Sequence, residues 1–339
     1  MISIALTTYN SESTIKHVLD GILRQSYPLN RVELIIVDGG SKDSTLDIIN
    51  RFVERHKDKF YDVKILVHDR NYGVSKARND SIKLSKGKYI LILDHDVILD
   101  ENTLETLYKY LEAQPPKVAG VVPLHINKPS TRVRRWEETL LRGRIAKTFG
   151  ATSCFLMRRE IIDYVGLYDE SLGPPYTIYE DIEYGARIFA KGFEIHLLGT
   201  HEVLHCGGSE GTATEDLNSK SNDSAAFLKI GLRALISLLN PRYRYAIRRF
   251  VKSLPLQKKL EWYLYSLIIP SILLTPLVLI LWSPLYLVIP LGLLLALYIQ
   301  VLRYYWNPKY LHISIVYSAI ALAWRILRAT TLLIPVEKK

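Results

Sequence analysis

Short apolar runs alternate with amphipathic ones through the first hundred residues. Residues 2–6, 32–37, 63–67 and 89–93 are β-branched or leucine-rich and of strand length. Between them, 13–26, 43–56 and 74–86 space their apolar residues as helices do. "SKDST" ahead of Leu46 supplies capping side chains for the second helix. Strands alternating with helices predict an α/β domain, a mostly parallel sheet with helical crossovers. Ligands of such sheets gather at the carboxyl ends of the strands. Asp38 closes "ELIIVD" and Asp94 closes "KYILILD", so two carboxylates stand at that edge.

The pattern loosens from 117 to 158, where "PPKVAGVVPL" and "GATSCFLM" read as strands around a basic stretch. A Gly/Pro-rich loop, a helix over 180–191 and one or two short strands complete a catalytic domain over 1–220. Then the character changes. "AAFLKIGLRALISLL" reads as an amphipathic helix on a membrane face, within an interfacial segment over 221–259. Residues 262–282 and 285–302 carry no charge, and each is long enough to cross about 30 Å of hydrocarbon with some tilt or thinning. Together with 311–335 they make a membrane domain over 260–339. Ser314, Ser318, Ala321, Arg325, Arg328 and Thr331 form a small or polar stripe on that last segment. The stripe suits a helix lying flat at the interface, or one packing it inward as a third span.

Charge sharpens this division. The net charge is +10, yet from residue 225 onward fifteen lysines and arginines face two acids, Glu261 and Glu337. Basic charge concentrated in the most apolar third points to a membrane surface and away from a nucleic-acid polymer. The basic flanks at 241–259 and at Arg303 and Lys309 lie on one side of the predicted hairpin. The positive-inside rule puts that side, and the catalytic domain, in the cytoplasm. No signal-like segment precedes the first strand, and Cys154 and Cys206 lack metal-ligand spacing, which predicts two buried free thiols.

On an extended strand, Asp94 and Asp96 would point to one face and His95 away. Paired hard oxygens suit Mg²⁺ or Mn²⁺, which could in turn hold a diphosphate. The ordered set "TTYN", "VDGGSKDST", "NYGVSKARN", "KGKYILILDHD", "GLYDE", "YEDIEYGARIFAKGFEI" and "HEVLHCGGS" resembles the family 2 glycosyltransferases over residues 1–210. The resemblance implies the GT-A fold, a nucleotide-diphosphate sugar donor of UDP or GDP type, and inversion at the anomeric carbon. It also implies roles. Tyr9 would flank the nucleobase, Thr7 contact it, and Asp38 accept a hydrogen bond from it, although this chain has Asp38-Gly39 where many relatives have two acids. Arg78 would approach the diphosphate. Asp94 would face the ribose and stand beside the metal, with Asp96 and His205 as metal ligands. His201 is the weaker histidine.

An inverting transfer to a hydroxyl needs a base, and Asp181 in "YED" has the right chemistry. Acids also suit the start of a helix for its dipole alone. Glu180 would bind acceptor hydroxyls. "RVRRW" at 132–136 resembles the Q-x-x-R-W of processive synthases. It has Arg132 in place of Gln and precedes the Glu-Asp motif, so processivity is rejected. Its arginines, Arg132 and Arg135 among them, make either a solvated face or a clamp on the phosphates of a lipid-linked acceptor. The sequence thus predicts a metal-dependent inverting glycosyltransferase acting on a lipid-linked hydroxyl at the membrane. A polyprenyl-phosphate sugar synthase is the alternative, and a non-catalytic membrane adaptor of the same fold is the third reading.

Overall fold

The computed structural model describes residues 1–127, 132–151, 153–172, 180–206, 247–248, 251–252, 254, 256–264, 266–267, 288–306 and 308–329. The four predicted strands form as β1 (Ile2–Thr8), β2 (Val32–Asp38), β3 (Asp62–Val67) and β4 (Tyr89–Asp94), parallel and ordered β3-β2-β1-β4. Their crossovers are α1 (Ile15–Leu23), α2 (Thr45–His56) and α3 (Val74–Leu84). Every residue of β1 and β2 is buried, which is why these strands read as unbroken apolar runs.

The next elements are β5 (Val97–Ile98), α4 (Thr103–Glu112), β6 (Val118–Asn127), α5 (Arg132–Leu141), β7 (Ile145–Thr148), β8 (Cys154–Arg158), α6 (Ile161–Val165), α7 (Glu180–Ala190) and β9 (Glu194–His205). They extend the sheet to nine strands in the order β3-β2-β1-β4-β8-β6-β9-β5, with β7 also on β9. The sheet is therefore mixed rather than mostly parallel. β8 runs antiparallel to both β4 and β6, and β5 and β7 run antiparallel to β9. The expected one or two short strands after α7 are one strand, β9, whose register against β6 slips between Pro123 and Leu124. The basic stretch expected between two strands forms α5.

Apolar side chains fill both faces of the sheet. Ile4, Leu6, Leu34, Leu91 and Leu93 pack under α1, α2 and α4, and Ile90, Ile92, Phe155 and Met157 pack under α6 and α7. Burying each such side chain is worth about 1.5–3 kcal/mol before entropy is counted. Neither cysteine forms a disulfide; Cys154 is buried, while Cys206 is only half-buried.

The chain divides into two compact units, residues 1–130 with 142–209, and 131–141 with 210–339. The first holds the whole sheet. In the second, α5 packs with α8 (Val288–Tyr305) and α9 (Leu311–Ala329). Tyr305 and Tyr317 stack edge to face at 4.6 Å, and Glu261 accepts hydrogen bonds from Lys258 and Gln300 at 2.7 and 3.2 Å. Ser314 and Ser318 of the stripe are fully buried, whereas Leu291, Leu295, Ile315 and Val316 are exposed. The stripe thus faces inward at these two serines and is half-buried at Ala321 and Arg325. Among the described residues no helix is long and apolar enough to cross a membrane. Most of the predicted span 262–282, and the whole amphipathic helix expected over 225–239, lie outside the described residues.

Candidate active site

The site is built at the carboxyl ends of β1, β2 and β4, where the register sets Thr7 beside Asp94 and Thr8 beside Asp38. Thr7 Oγ1 donates to Asp94 Oδ1 at 3.2 Å. Asp38 is fully buried and turned into its own loop. Its Oδ2 accepts from the backbone N–H of Gly40 and Ser41 at 2.9 and 2.8 Å, and its Oδ1 from the Ser41 hydroxyl at 2.5 Å. This is the local turn chemistry of aspartate. Gly40, at φ +83°, supplies the left-handed residue that the turn requires. Tyr9 is partly exposed and stands against Gly39, where an added Cβ would come within 3.3 Å of its Cβ and ring edge.

Arg78 projects from α3 into the centre of the site with 3% of its surface exposed. Its Nη2 donates to Asp94 Oδ1 and Oδ2 at 3.0 and 2.8 Å, and its Nη1 to Glu180 Oε1 at 3.0 Å. Burial disfavours the charge, but Asp94 and Glu180 outweigh it and hold Arg78 well above the ordinary range. Arg78 therefore links the β4 tip to the first turn of α7.

Glu180 and Asp181 open α7. Burial, then the charge of Asp181, pushes Glu180 up to about 7 against the pull of Arg78. Burial raises Asp181 as well, against Arg78 and a 2.8 Å hydrogen bond from the backbone N–H of Ile182. Two adjacent carboxylates with raised affinity for protons suit proton transfer near neutral pH.

Asp96 does not converge with Asp94. The chain leaves the extended conformation after Asp94 and turns through residues 95 and 96, so the period-two expectation fails there. Asp94 goes to Arg78, and Asp96 goes to His205, with Oδ2 3.3 Å from Nε2. The pairing follows from β5, whose Val97 lies opposite His205 in β9. Burial pushes Asp96 up, but the hydrogen bond and charge of His205 outweigh this and leave it below the usual carboxylate range. Among the described residues no group of three or more His, Cys, Asp or Glu side chains is gathered for a metal. One carboxylate and one imidazole still fit Mg²⁺ or Mn²⁺ of the kind held mainly by substrate phosphates and water. His201 is elsewhere, its Nε2 3.0 Å from the Thr103 hydroxyl.

Of the two acceptor arginines, Arg135 is exposed on α5 in the second unit, and the side chain of Arg132 lies outside the described residues. The sequence reading missed Asn79, Tyr168 and Tyr184, which pack behind Arg78. "ARN", "GLYDE" and "YEDIEYGAR" contain all three.

Residues 3–166 match the family model described as Glycosyl transferase family 2. The chain carries a family 2 glycosyltransferase domain. Among its relatives is the poly(ribitol-phosphate) beta-glucosyltransferase of Bacillus spizizenii, 32% identical over 160 residues. That match covers 45% of this chain and 25% of the relative. The UDP-Glc:alpha-D-GlcNAc-diphosphoundecaprenol beta-1,3-glucosyltransferase WfaP of Escherichia coli is 28% identical over 260 residues, 74% of this chain and 95% of that protein. The solved mannosyltransferase PcManGT of Pyrobaculum calidifontis, in complex with GDP-Man and Mn²⁺, superposes with a TM-score of 0.54 at 19% identity. It covers 99% of this chain and 88% of that one, and its likeness establishes the GT-A fold of the sheet domain.

Proposed function

We propose that this protein transfers a sugar, with inversion, from a UDP- or GDP-type sugar nucleotide to a hydroxyl of a lipid-linked acceptor at the cytoplasmic membrane face. The observation that carries the reading is the pair Glu180 and Asp181, two proton-seeking carboxylates tied through Arg78 to the strand tip at Asp94. The GDP-Man bound by PcManGT and the diphosphoundecaprenol acceptor for which WfaP is named support the donor and acceptor classes. An acceptor hydroxyl beside Asp181 loses its proton to that carboxylate as its oxygen attacks the anomeric carbon and the nucleoside diphosphate departs. Glu180, held by Arg78, orients the acceptor. Asp96 and His205 would hold Mg²⁺ or Mn²⁺, which supplies charge neutralisation for the departing diphosphate.

The membrane side of the proposal rests on polarity. In the helical unit Ser314 and Ser318 are buried while Leu291, Leu295, Ile315 and Val316 are exposed, an apolar outer face unlike that of a helix in water. The basic flanks at 241–259 support a cytoplasmic face.

The second reading, a polyprenyl-phosphate sugar synthase, has an acceptor oxygen already ionised at neutral pH. It would leave Asp181 without work to do. A non-catalytic adaptor would have no use for either carboxylate. Membranes carrying the full chain are incubated with a panel of labelled sugar nucleotides and then extracted with organic solvent. The proposal expects label from one UDP- or GDP-sugar in a lipid whose glycan has gained one sugar, joined by a new glycosidic bond to a hydroxyl of the acceptor. Label found only as a sugar on polyprenyl phosphate favours the second reading, and no transfer from any donor favours the adaptor.

A further inference from the structure

Behind the carboxylates, four side chains form a continuous ladder. The Arg78 guanidinium lies 5.4 Å from the centre of the Tyr168 ring. Tyr168 stacks on Tyr184 with centroids 4.1 Å apart and planes within 13° of parallel. Arg187 sits over the Tyr184 ring at 5.0 Å. Both tyrosines are buried.

Each rung is pinned from its own backbone. Asn79, next to Arg78, donates to Tyr168 O at 2.9 Å and accepts from the Tyr168 N–H at 2.8 Å. The Tyr184 hydroxyl donates to Gly166 O at 3.2 Å, and Arg187 donates to Val165 O and Leu167 O at 2.5 and 2.9 Å. The ladder therefore ties α3, the 165–168 segment and α7 together.

Hydrogen bonds alone do not fix the Arg78 plane. Its Nε is buried with no hydrogen-bond partner among the described residues, so the guanidinium is held by its two Nη groups and by the ring beneath it. A guanidinium over a tyrosine ring is attracted by the ring quadrupole. Glu180, Tyr184 and Arg187 share one face of α7 at four- and three-residue spacing. Any shift of Tyr184 against Tyr168 moves Glu180 and Asp181 relative to Asp94.

We infer that Tyr168 and Tyr184 are positioning residues, whose stacked rings set the distance between the Asp94 tip and the Glu180–Asp181 pair. The inference rests on the proposed transfer reaction. The role belongs to the ring faces, and the hydroxyls serve stability.

The test compares Tyr184→Phe with Tyr184→Leu, and Tyr168→Phe with Tyr168→Leu, in the full chain. Thermal midpoint, kcat and the donor KM are measured for each. Phenylalanine keeps the stack and is expected to lower the midpoint while leaving kcat near wild type. Leucine removes the stack and should lower kcat roughly 10²-fold, the cost of misplacement on the scale of an ångström, with donor KM nearly unchanged. Where leucine prevents folding, methionine at the same position carries the same comparison. Folded leucine or methionine variants with wild-type kcat overturn the inference, and so does an equal loss from phenylalanine and leucine. Asp181→Asn is assayed alongside. If it keeps full turnover the transfer reading fails; if it loses turnover while the ring variants do not, only the ladder fails.

Discussion

Arg78 and Asp94 face each other across the tip of β4, one guanidinium nitrogen donating to both carboxylate oxygens at 3.0 and 2.8 Å. Arg78 is all but fully buried, so losing a partner leaves a charge where water cannot compensate it. Asp94→Asn keeps the shape and removes the charge. It is expected to destabilise the sheet domain by on the order of 3 kcal/mol, softened by the remaining bond to Glu180. Urea unfolding checks this as a lower midpoint at unchanged slope; a wild-type midpoint would show that the pair contributes nothing.

Gly185 explains how α7 comes so close to the loop before β8. A Cβ there would lie 1.7 Å from the carbonyl oxygen of Phe149, a backbone atom with no flexible side chain to give way. Gly185→Ala must push α7 aside, and with it the two carboxylates. We expect a loss of about 1–3 kcal/mol or more in denaturant unfolding, together with impaired turnover. A variant that unfolds and turns over like wild type would contradict the packing of α7.

Glu194, at the start of β9, provides a pH signature away from the site. The hydrogen bond from Lys147 depresses it to about 2, with His196 and Lys117 adding to the effect against burial. A depressed carboxylate stabilises the fold above its unfolded value and loses that contribution as pH falls through the folded one. Glu194→Gln is therefore expected to be less stable than wild type at pH 7. The gap should close between the ordinary glutamate value of 4.5 and about 2. Thermal midpoints of both proteins across that range test it; a gap independent of pH would assign the effect to packing.

Asp96 and His205 make a chelation prediction. Excess chelator should abolish sugar transfer, and added Mn²⁺ or Mg²⁺ should restore it. Asp96→Asn should need far more Mn²⁺ for half-maximal rate while staying folded. Full activity in excess chelator would remove the metal from the account.

The parallel half of the sheet was legible because β1, β2 and β4 are almost wholly buried and read as apolar runs, with β3 at the edge only partly buried. β5 and β7 were not. Val97–Ile98 is too short to show a period, and Ile145–Thr148 leaves Ile145 and Lys147 exposed on an edge. The candidate residues were legible as types, and so was the meeting of Asp96 with His205, but the partners of Arg78 and of Tyr168 were not. Arg78 meets Glu180 across 102 positions of sequence, and Tyr168 meets Tyr184 through the packing of α7 rather than through any local spacing. The expected convergence of Asp94 and Asp96 failed for a local reason, since the strand ends at Asp94, two residues short of Asp96. The polar stripe of α9 was visible as a stripe, yet only its burial shows which way it faces.

The central claim is that Asp181 takes the proton of an acceptor hydroxyl. Asp181→Asn preserves size and removes basicity, so the variant should stay folded and bind donor as wild type does. Its single-turnover transfer rate should fall by roughly 10²–10⁴, the range of general-base assistance. Burial raises the proton affinity of Asp181, so the wild-type rate should decline on the acid side at a higher pH than an ordinary aspartate would set. The residual rate of the variant should lack that decline. The decisive measurement is the single-turnover rate of both proteins from pH 5 to pH 9 with saturating donor. A large loss with a flattened acid limb is the predicted result, and near-normal transfer by Asp181→Asn with the acid limb intact would contradict the account.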